Sequence, residues 1–235
     1  MVYEPDNIPK EWKSETVLED TRILNEKNEN IWDRFAPIYN SFVTGTPGNK
    51  KAYDTMYRRI RLAVKGKEVL ELATGPGVIA KQVADESKRT VATDYSEKML
   101  AVARRGIVPS NLIFERADAS DLQYDDESFD VVIIANALHV IPNPEKVLSE
   151  IKRVLRKDGL LIAPNFIHDN TKKISGIFSK VLSCAGVTFE AKWNAYGYKA
   201  FLEENGFKVI KSKQFDSTIP LMYTECIVAG YSQKE

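Results

Sequence analysis

Short apolar runs alternate with helix-forming segments from Lys67 onward, and this alternation limits the fold more than any other feature of the sequence. Five runs have the length of a strand and cover residues 69–73, 90–94, 112–116, 129–135 and 160–164. The fourth run is apolar almost without interruption, which is typical of a strand covered on both faces. Strands that alternate with helices in this way predict a parallel sheet between two helical layers.

Two further runs close the chain and lie near each other in sequence. They span about 208–213 and 222–231, and the short connection between them contains Pro220. Strands joined by a short connection pair antiparallel. The sequence therefore predicts an α/β fold with a Rossmann-like, doubly wound sheet of seven strands. The sheet is expected to be mostly parallel, with an antiparallel C-terminal hairpin and helices on both faces.

Capping residues mark helix boundaries at two places. Ser96 precedes a stretch of helical periodicity and is expected to be its N-cap. Asn143 and Pro144 mark the start of a second helix, and Gly159 is expected to lie just past its end.

The charge balance argues against a general nucleic-acid-binding protein. The chain has 33 Lys+Arg and 33 Asp+Glu, whereas such proteins carry an excess of basic residues. The balance conceals a basic segment within 50–67 and an acidic segment within 115–130. We interpret both as solvated surface, although the basic segment leaves an anionic acceptor open.

The cysteines and the N-terminal residues bear on the location of the protein. Cys184 and Cys226 are too few for a disulfide framework. The first residues lack the basic and apolar regions of a signal peptide. The most apolar run, 131–141, is too short to span a bilayer. We therefore expect a cytoplasmic protein without a membrane span.

A glycine-rich turn follows the first predicted strand and opens a helix. Ligands of doubly wound sheets bind beyond the carboxyl ends of the strands, and Gly75 and Gly77 let a ligand approach the backbone. Asp94 ends the second strand nineteen residues after Gly75, where a carboxylate is able to accept both hydroxyl protons of a ribose. The turn therefore predicts a nucleoside-containing cofactor.

Two cofactors fit this turn. Residues 75–80 match the loose G-x-G-x-x-A pattern of NAD-binding proteins, which is a weak signal alone. Against NAD, Glu71 lies inside the loop motif, where dinucleotide-binding folds prefer apolar residues. No Tyr-x-x-x-Lys pair follows downstream. An NAD-dependent oxidoreductase is therefore the less favoured alternative.

Four segments in register resemble one enzyme family. Residues 71–77 resemble the E/D-x-G-x-G-x-G loop of class I S-adenosylmethionine (SAM)-dependent methyltransferases, and the order and spacing match from about Trp32 to Asn165. The other three segments are 91–100, 117–119 and 128–132. In addition, residues 32–39 resemble the leader helix of the ubiquinone/menaquinone-type (methyltransferase domain 11-like) small-molecule methyltransferases.

The resemblance implies SAM as the cofactor and assigns roles to the residues that match the family motifs. Glu71 would organise the loop and the methionine amino end, and Asp94 would hold the ribose hydroxyls. Asp118 would accept the adenine amino group, and Asn136 would face the methionine end of the cofactor. The implied cofactor-binding residues are Tyr39, Glu71, Ala73, Gly75, Gly77, Asp94, Tyr95, Met99, Asp118, Ala119 and Asn136.

Two positions depart from the family pattern. Ala73 replaces the usual first glycine, which is tolerable if its φ is below zero, so a negative φ is expected there. Asn40 replaces the usual Asp after Tyr39, so no acid role is assigned to that position.

His139 lies just past the fourth strand, beside the place of the transferred methyl group, and is the candidate catalytic residue. A histidine there is able to remove a proton from the acceptor; the alternative is that it only shapes the pocket.

Neither histidine has neighbours at metal-ligand spacing, so no metal is predicted. Side chains expected to form the acceptor pocket, some of which suit core packing equally well, are Trp32, Phe35, His168, Phe178 and Trp193.

The predicted activity is transfer of a methyl group from SAM to a small-molecule acceptor with a C, O or S nucleophile, by in-line displacement. The alternatives are an RNA methyltransferase, an NAD-dependent oxidoreductase and a SAM-binding domain without catalysis.

We expect one class I methyltransferase domain over 1–235. Its parts are a helical cap at 1–65, the SAM-binding core at 66–168, a helical pocket insert at 169–195, and a C-terminal helix and strand pair at 196–235.

Overall fold

One eight-stranded sheet organises the computed structural model, which describes residues 47–168, 191–215 and 220–230. The strands are β1 (Glu68–Leu72), β2 (Arg89–Asp94), β3 (Leu112–Arg116), β4 (Phe129–Ile134), β5 (Leu155–Ile162), β6 (Asn165–Phe166), β7 (Phe207–Phe215) and β8 (Leu221–Val228). Strands β3, β2, β1, β4 and β5 lie side by side in that order and are parallel. Strand β8 pairs antiparallel with β5, β6 and β7. The predicted fold, including its C-terminal hairpin, is confirmed.

Helices connect the strands and cover the sheet. They are α1 (Pro47–Val64), α2 (Val78–Val83) followed by a 3₁₀ turn (Ala84–Glu86), α3 (Glu97–Ala103), α4 (Pro144–Val154) and α5 (Ala195–Glu204). The predicted N-cap of α3 is confirmed, because the Ser96 hydroxyl accepts a hydrogen bond from the Met99 N–H at 3.1 Å. None of the helices that the structure describes is long and apolar enough to cross a membrane.

Alternate side chains of β4 enter the two opposite faces of the sheet. Val132 and Ile134 belong to a buried cluster that includes residues of α4 and α5. Val131 and Ile133 belong to a second buried cluster, which includes residues of α1. Since helices cover both faces, nearly every position of β4 is buried, and this explains its almost uninterrupted apolar sequence.

The predicted end of α4 at Gly159 is wrong. The helix ends at Val154, and Leu155 immediately begins β5 and pairs with Phe129. The pairing then shifts by a bulge and resumes where Leu160 lies opposite Val131. A Cβ at Gly159 would lie 2.7 Å from the Leu155 side chain and 2.8 Å from a backbone carbonyl. This glycine therefore permits the tight bulge and is not a helix cap.

The strand that the sequence did not predict, β6, is a continuation of β5. Strand β5 pairs Ile162 with Glu225 of β8, and β6 pairs Asn165 with Met222 in the same register. Pro164 lies in the gap between β5 and β6 and has no N–H to donate to the sheet. The sequence predicted seven strands because it ended the fifth strand at residue 164 and assigned no strand to residues 165–166.

Parts of the predicted leader helix and of the predicted insert lie outside the described residues. The sequence predicts helical stretches at 15–35 and 174–182, and both lie outside the described residues, as does Cys184. It also predicts a helix before β1 with one apolar face. This face is confirmed in α1, where all its members are buried: Tyr53, Met56, Tyr57, Ile60 and Val64.

Candidate functional site

The strand order places a crevice at the carboxyl ends of β1 and β4. The chain runs outward from β1 to β2 and β3 and then returns to the other side of β1 with β4, so the connections diverge between β1 and β4. Four predicted site residues lie at or just beyond the carboxyl ends of four neighbouring strands. In the order β3, β2, β1 and β4 they are Asp118, Asp94, Glu71 and Asn136.

The glycine-rich turn after β1 is shaped by two glycines in the left-handed region. Gly75 has a φ of 56° and Gly77 a φ of 73°. A Cβ at Gly77 would lie 2.8 Å from the Phe114 ring, so a side chain is excluded there. At Gly75 nothing in the described part of the chain would lie within 4 Å of such an atom. The turn therefore packs on the protein at Gly77 and leaves room beside Gly75 for a ligand.

Ala73 corrects the expectation of a negative φ. Its φ is 51°, in the left-handed region that an L-residue with a Cβ enters at a cost of about 1–2 kcal/mol. Asn136, at the neighbouring carboxyl end of β4, has a φ of 54°, which asparagine tolerates better. Backbone strain of this kind is found at ligand sites, because the surrounding fold holds the residue in place.

Replacing Ala73 with glycine is expected to stabilise the cofactor-free protein by about 0.5–1 kcal/mol. The glycine relieves the left-handed strain, and the greater freedom of the unfolded chain offsets part of the gain. Urea unfolding of the variant measures the change. The matched control is Gly75→Ala, which adds a methyl group to open space at a similar φ and should destabilise by about 1–2 kcal/mol. Equal stability of all three proteins would contradict the assigned strain.

Glu71 is a buried carboxyl group at the end of β1. Its residue surface is 2% exposed, and its Oε1 accepts a hydrogen bond from the Thr74 hydroxyl at 2.9 Å. Its Oε2 is buried without a hydrogen-bond partner among the described residues. Desolvation, together with a smaller effect of the negative charge of Asp94, raises the pKa of Glu71 from 4.5 to about 8. Without a cationic ligand this group therefore keeps its proton at neutral pH.

Asp94 joins the glycine-rich turn to the start of α3. Its Oδ2 accepts from the Gly75 N–H at 2.7 Å, and its Oδ1 accepts from the Ser96 N–H at 2.9 Å. A carboxylate accepts up to about four hydrogen bonds. This side chain is therefore suited to ribose hydroxyls in addition to the two backbone donors, as the resemblance implies.

The region after β3 lies beside the end of β2. The Ala117 N–H donates to the Asp94 carbonyl at 3.2 Å. Asp118 accepts at Oδ1 from the N–H and the hydroxyl of Ser120, both at 2.8 Å. The Arg116 guanidinium lies 5.1 Å from the centre of the Tyr95 ring and donates to the Tyr95 carbonyl. The two strand ends thus form one continuous surface for the predicted adenosine end.

The remaining predicted adenosine contacts are small or buried. Met99 lies on the buried face of α3 and is 3% exposed, which is compatible with core packing and with contact to an adenine ring. Ala119 is partly buried and packs against the larger core cluster. Their role as cofactor contacts stays a prediction.

Asn136 contacts α1, a connection that the sequence did not reveal. Its Nδ2 donates to the Tyr53 hydroxyl at 3.0 Å. Its Oδ1 is buried and has no hydrogen-bond partner within the described ranges. Sequence reasoning placed Tyr53 on the apolar face of a helix, which is correct, but nothing in the sequence links residues 83 positions apart. The one sequence signal for this contact is the Tyr53 hydroxyl, a polar group on a mostly apolar helix face.

His139 is buried and its ring orientation is defined by Asn165. Its Nδ1 lies 2.9 Å from the Asn165 Oδ1, and the Asn165 Nδ2 donates to the Phe166 carbonyl at 3.0 Å. Because the amide oxygen faces the ring, Nδ1 carries the proton and Nε2 carries the lone pair. Desolvation lowers the pKa of His139 to about 4. The imidazole is therefore neutral at physiological pH.

The predicted acceptor residues within the described ranges lie near His139. The His168 N–H donates to the Trp193 carbonyl at 2.8 Å, and the Ala191 N–H donates to the His139 carbonyl at 3.4 Å. Trp193 stacks on Phe201 with 4.5 Å between ring centres, so part of its surface is core. Four predicted site residues lie outside the described residues: Trp32, Phe35, Tyr39 and Phe178.

The residues at this crevice fit the SAM molecule. Glu71 Oε2 and Asn136 Oδ1 are buried acceptors without partners in the part of the chain that the structure describes. Buried acceptors in folded proteins are normally paired with a hydrogen-bond donor, so two unpaired ones indicate a place for a donor group of a ligand. They lie on paired neighbouring strands, since Leu72 is opposite Ile134. The α-ammonium group of SAM carries three N–H donors and a positive charge, which match both atoms.

Comparison with known proteins places the chain among methyltransferases. The family profile described as "Methyltransferase domain" matches residues 70–163. A demethylmenaquinone methyltransferase from Clavibacter sepedonicus is 37% identical over 120 residues, 51% of this chain and 49% of that protein. One from Thermotoga maritima is 30% identical over 181 residues, 72% of this chain and 76% of that protein. A ubiquinone/menaquinone biosynthesis C-methyltransferase from Paraburkholderia phytofirmans is 32% identical over 146 residues, 57% of this chain and 59% of that protein. The matches thus span about half the length of several curated relatives.

Solved structures share the fold at lower identity. The structure of DhpI in complex with SAH has a TM-score of 0.69 at 19% identity and covers 88% of this chain and 98% of that chain. The [4+2]-cyclase SpnF has a TM-score of 0.70 at 17% identity and covers 87% of this chain and 97% of that chain. The name of the second protein shows that this fold also serves other reactions.

The family profile and the curated relatives place this chain in the class I SAM-dependent methyltransferase family, and its strand order agrees with that family. The relationship to the Thermotoga enzyme, which extends over three quarters of that protein, gives the family. This chain belongs to the ubiquinone/menaquinone-type methyltransferases. SAM is the cofactor of this class, so the cofactor prediction is confirmed and the NAD alternative is not supported.

Proposed function

We propose that this protein transfers a methyl group from SAM to a small-molecule acceptor with a quinone-type aromatic ring. The observation that carries the proposal is a pair of buried acceptors at the ends of β1 and β4, Glu71 Oε2 and Asn136 Oδ1, which have no hydrogen-bond partner among the described residues. They suit the ammonium of SAM, and Asp94 at the end of β2 suits its ribose. The acceptor class is supported by the relatives named demethylmenaquinone methyltransferase.

The protein's own residues would act by binding and orientation. Bound SAM supplies an electrophilic methyl group carried on a sulfonium. Glu71 and Asn136 would hold the ammonium end, and Asp94 and Asp118 would hold the adenosine end. Fixing both ends positions the cofactor against the loop that carries His139, and correct placement of two reactants lowers a transfer barrier substantially. The buried setting of this loop excludes water from the transfer.

The test is release of the demethylated cofactor in the presence of a panel of acceptors. We would incubate the full chain with SAM and with naphthoquinols with and without a prenyl chain, simple phenols and thiols. Equal amounts of demethylated cofactor and methylated naphthoquinol are expected. Binding of SAM without turnover on any acceptor would indicate a binding protein, and a thermal shift with NAD alone would contradict the proposal outright.

His139 is proposed to act as a general base for acceptors that arrive protonated. His139→Gln is then expected to lower kcat about 100-fold with a phenolic acceptor and to leave the Kd for SAM unchanged. Since burial lowers the pKa of His139 to about 4, the base-competent neutral form persists above that pH and is lost only as pH falls through about 4. The wild-type rate should therefore show no acid limb near 6.5.

An acceptor that is already ionised provides the internal control for this variant. With a thiolate the same substitution should change kcat by less than threefold, because no proton has to be removed. Equal losses with both acceptors would mean that His139 only shapes the pocket, which is the alternative left open by the sequence.

Three other predictions remain as proposals. A role of nucleic acid as a partner is disfavoured by the charge balance, and part of the basic segment is engaged within the protein. Arg61 donates to the Gln82 side chain at 2.8 Å, and Lys50 pairs with Asp54 at 2.7 Å. We also propose the cytoplasmic location and the domain boundaries that the sequence suggested.

A further inference from the structure

One hydrogen bond joins the leader helix α1 to the carboxyl end of β4. The Asn136 Nδ2 donates to the Tyr53 hydroxyl at 3.0 Å. Tyr53 is 5% exposed, and its ring lies 5.9 Å from that of Tyr57 on the next turn of α1. Because the bond is shielded from water, its loss leaves a polar group unsatisfied and affects the structure more than the loss of a surface bond.

The backbone of Asn136 is fixed independently of its side chain. Its φ is 54°, and its N–H donates to the Pro164 carbonyl at 2.8 Å. With the backbone held, the remaining freedom is the orientation of the amide group. In the structure the bond from Nδ2 to Tyr53 holds the amide in the orientation in which Oδ1 faces away from that hydroxyl.

The atom that this orientation presents is the carbonyl oxygen of the Asn136 amide, Oδ1. Asn136 Oδ1 and Glu71 Oε2 are buried without hydrogen-bond partners in the described residues. A reversed amide would present an NH₂ group at the same place. An NH₂ group cannot accept from an ammonium and would repel it through its own partial positive charge.

We infer that Tyr53 is a positioning residue for SAM: it orients the Asn136 amide so that the carbonyl oxygen, not the NH₂ group, faces the cofactor's ammonium. The inference rests on the proposed function of the crevice. Tyr53 itself does not need to touch the cofactor. The leader helix would thereby contribute to cofactor affinity through a residue on another element of the fold.

Binding of SAM and of 5′-methylthioadenosine to Tyr53→Phe tests this role. The second ligand keeps the adenosine and the sulfur but has neither ammonium nor carboxylate. By isothermal titration calorimetry, Tyr53→Phe should raise the Kd for SAM about tenfold and change that for methylthioadenosine by less than twofold. The matched control is Tyr57→Phe, which removes a hydroxyl from the same helix and should leave both Kd values within twofold of wild type.

A double-mutant cycle with Asn136→Asp separates orientation from general loosening. A carboxylate presents oxygen in either orientation, so Tyr53→Phe should weaken SAM binding by less than twofold in that background. A tenfold loss in both backgrounds, or equal losses for SAM and methylthioadenosine, would overturn the positioning role. If wild type binds SAM and Tyr53→Phe binds it equally well, only this inference fails. If wild type does not bind SAM, the proposed function fails with it.

Discussion

Replacing Glu71 with glutamine is expected to stabilise the cofactor-free protein by about 3 kcal/mol at pH 7. Burial raises the pKa of Glu71 to about 8 from an ordinary value of 4.5, so the folded protein holds a proton that the unfolded chain releases. For a carboxyl with a raised pKa, stability is greatest below the unfolded value and is lost as pH rises from 4.5 to about 8. Glutamine imitates the neutral acid and does not titrate.

The same substitution is expected to weaken SAM binding at least 100-fold. In the proposed complex the cofactor's ammonium would pair with the carboxylate form of Glu71, and the amide would offer a weaker acceptor without charge. In wild type, affinity for SAM should therefore rise with pH up to about 8, with release of one proton on binding. A loss of affinity that accompanies a gain of stability is typical of residues selected for function.

Two measurements check this prediction. Urea unfolding at pH 5 and pH 8 should show a stability difference between the two proteins that is small at pH 5 and large at pH 8. Calorimetric titration with SAM in buffers of different ionisation enthalpy counts the released proton. The exposed Glu86→Gln is the matched control and should change neither quantity. A pH-independent difference in stability would show that Glu71 does not hold the proton.

Replacing Asp94 with alanine is expected to raise the Kd for SAM about 1,000-fold. The side chain would hold the ribose hydroxyls through charge-assisted bonds worth about 1.5–3 kcal/mol each. It also accepts from the N–H groups of Gly75 and Ser96, so the variant leaves the turn and the start of α3 without their acceptor. A loss of stability of about 2 kcal/mol should accompany the loss of binding.

Calorimetry with SAM and urea unfolding measure the two effects of Asp94→Ala. Asp94→Asn keeps one acceptor oxygen and is expected to fall between alanine and wild type in both measurements. The exposed Asp85→Ala removes a carboxylate from the 3₁₀ turn after α2 and serves as the control without effect. SAM binding by Asp94→Ala within tenfold of wild type would contradict the ribose assignment.

The strands of the core were predictable because strands that are buried on both faces consist mostly of apolar residues. The third strand occupies Leu112–Arg116, as the sequence predicts, and β4 differs from its predicted range by one residue. Gly159 was misread because glycine serves both helix ends and bulges, and its neighbours in space decide between them. The local sequence shows that residue 159 is a glycine, but it does not show which atoms of the folded protein lie beside it.

The motif residues of the crevice were predictable for a related reason. Glu71, Asp94 and Asp118 follow successive strands, and parallel strands end at the same side of a sheet, so their proximity follows from topology alone. The left-handed φ of Ala73 did not follow, because an alanine carries no sign of the backbone conformation that its surroundings impose.

The sequence by itself determined the layered α/β architecture, the placement of the motif residues at the carboxyl ends of the strands and the class of cofactor, because hydrophobic periodicity and motif spacing are local properties of the chain. Only the tertiary structure decided the raised pKa of Glu71, the neutral state of His139 and the bond between Tyr53 and Asn136. Each of these depends on burial and on contacts between residues far apart in sequence. Such contacts arise when the sheet and its helices pack, and no local pattern specifies them.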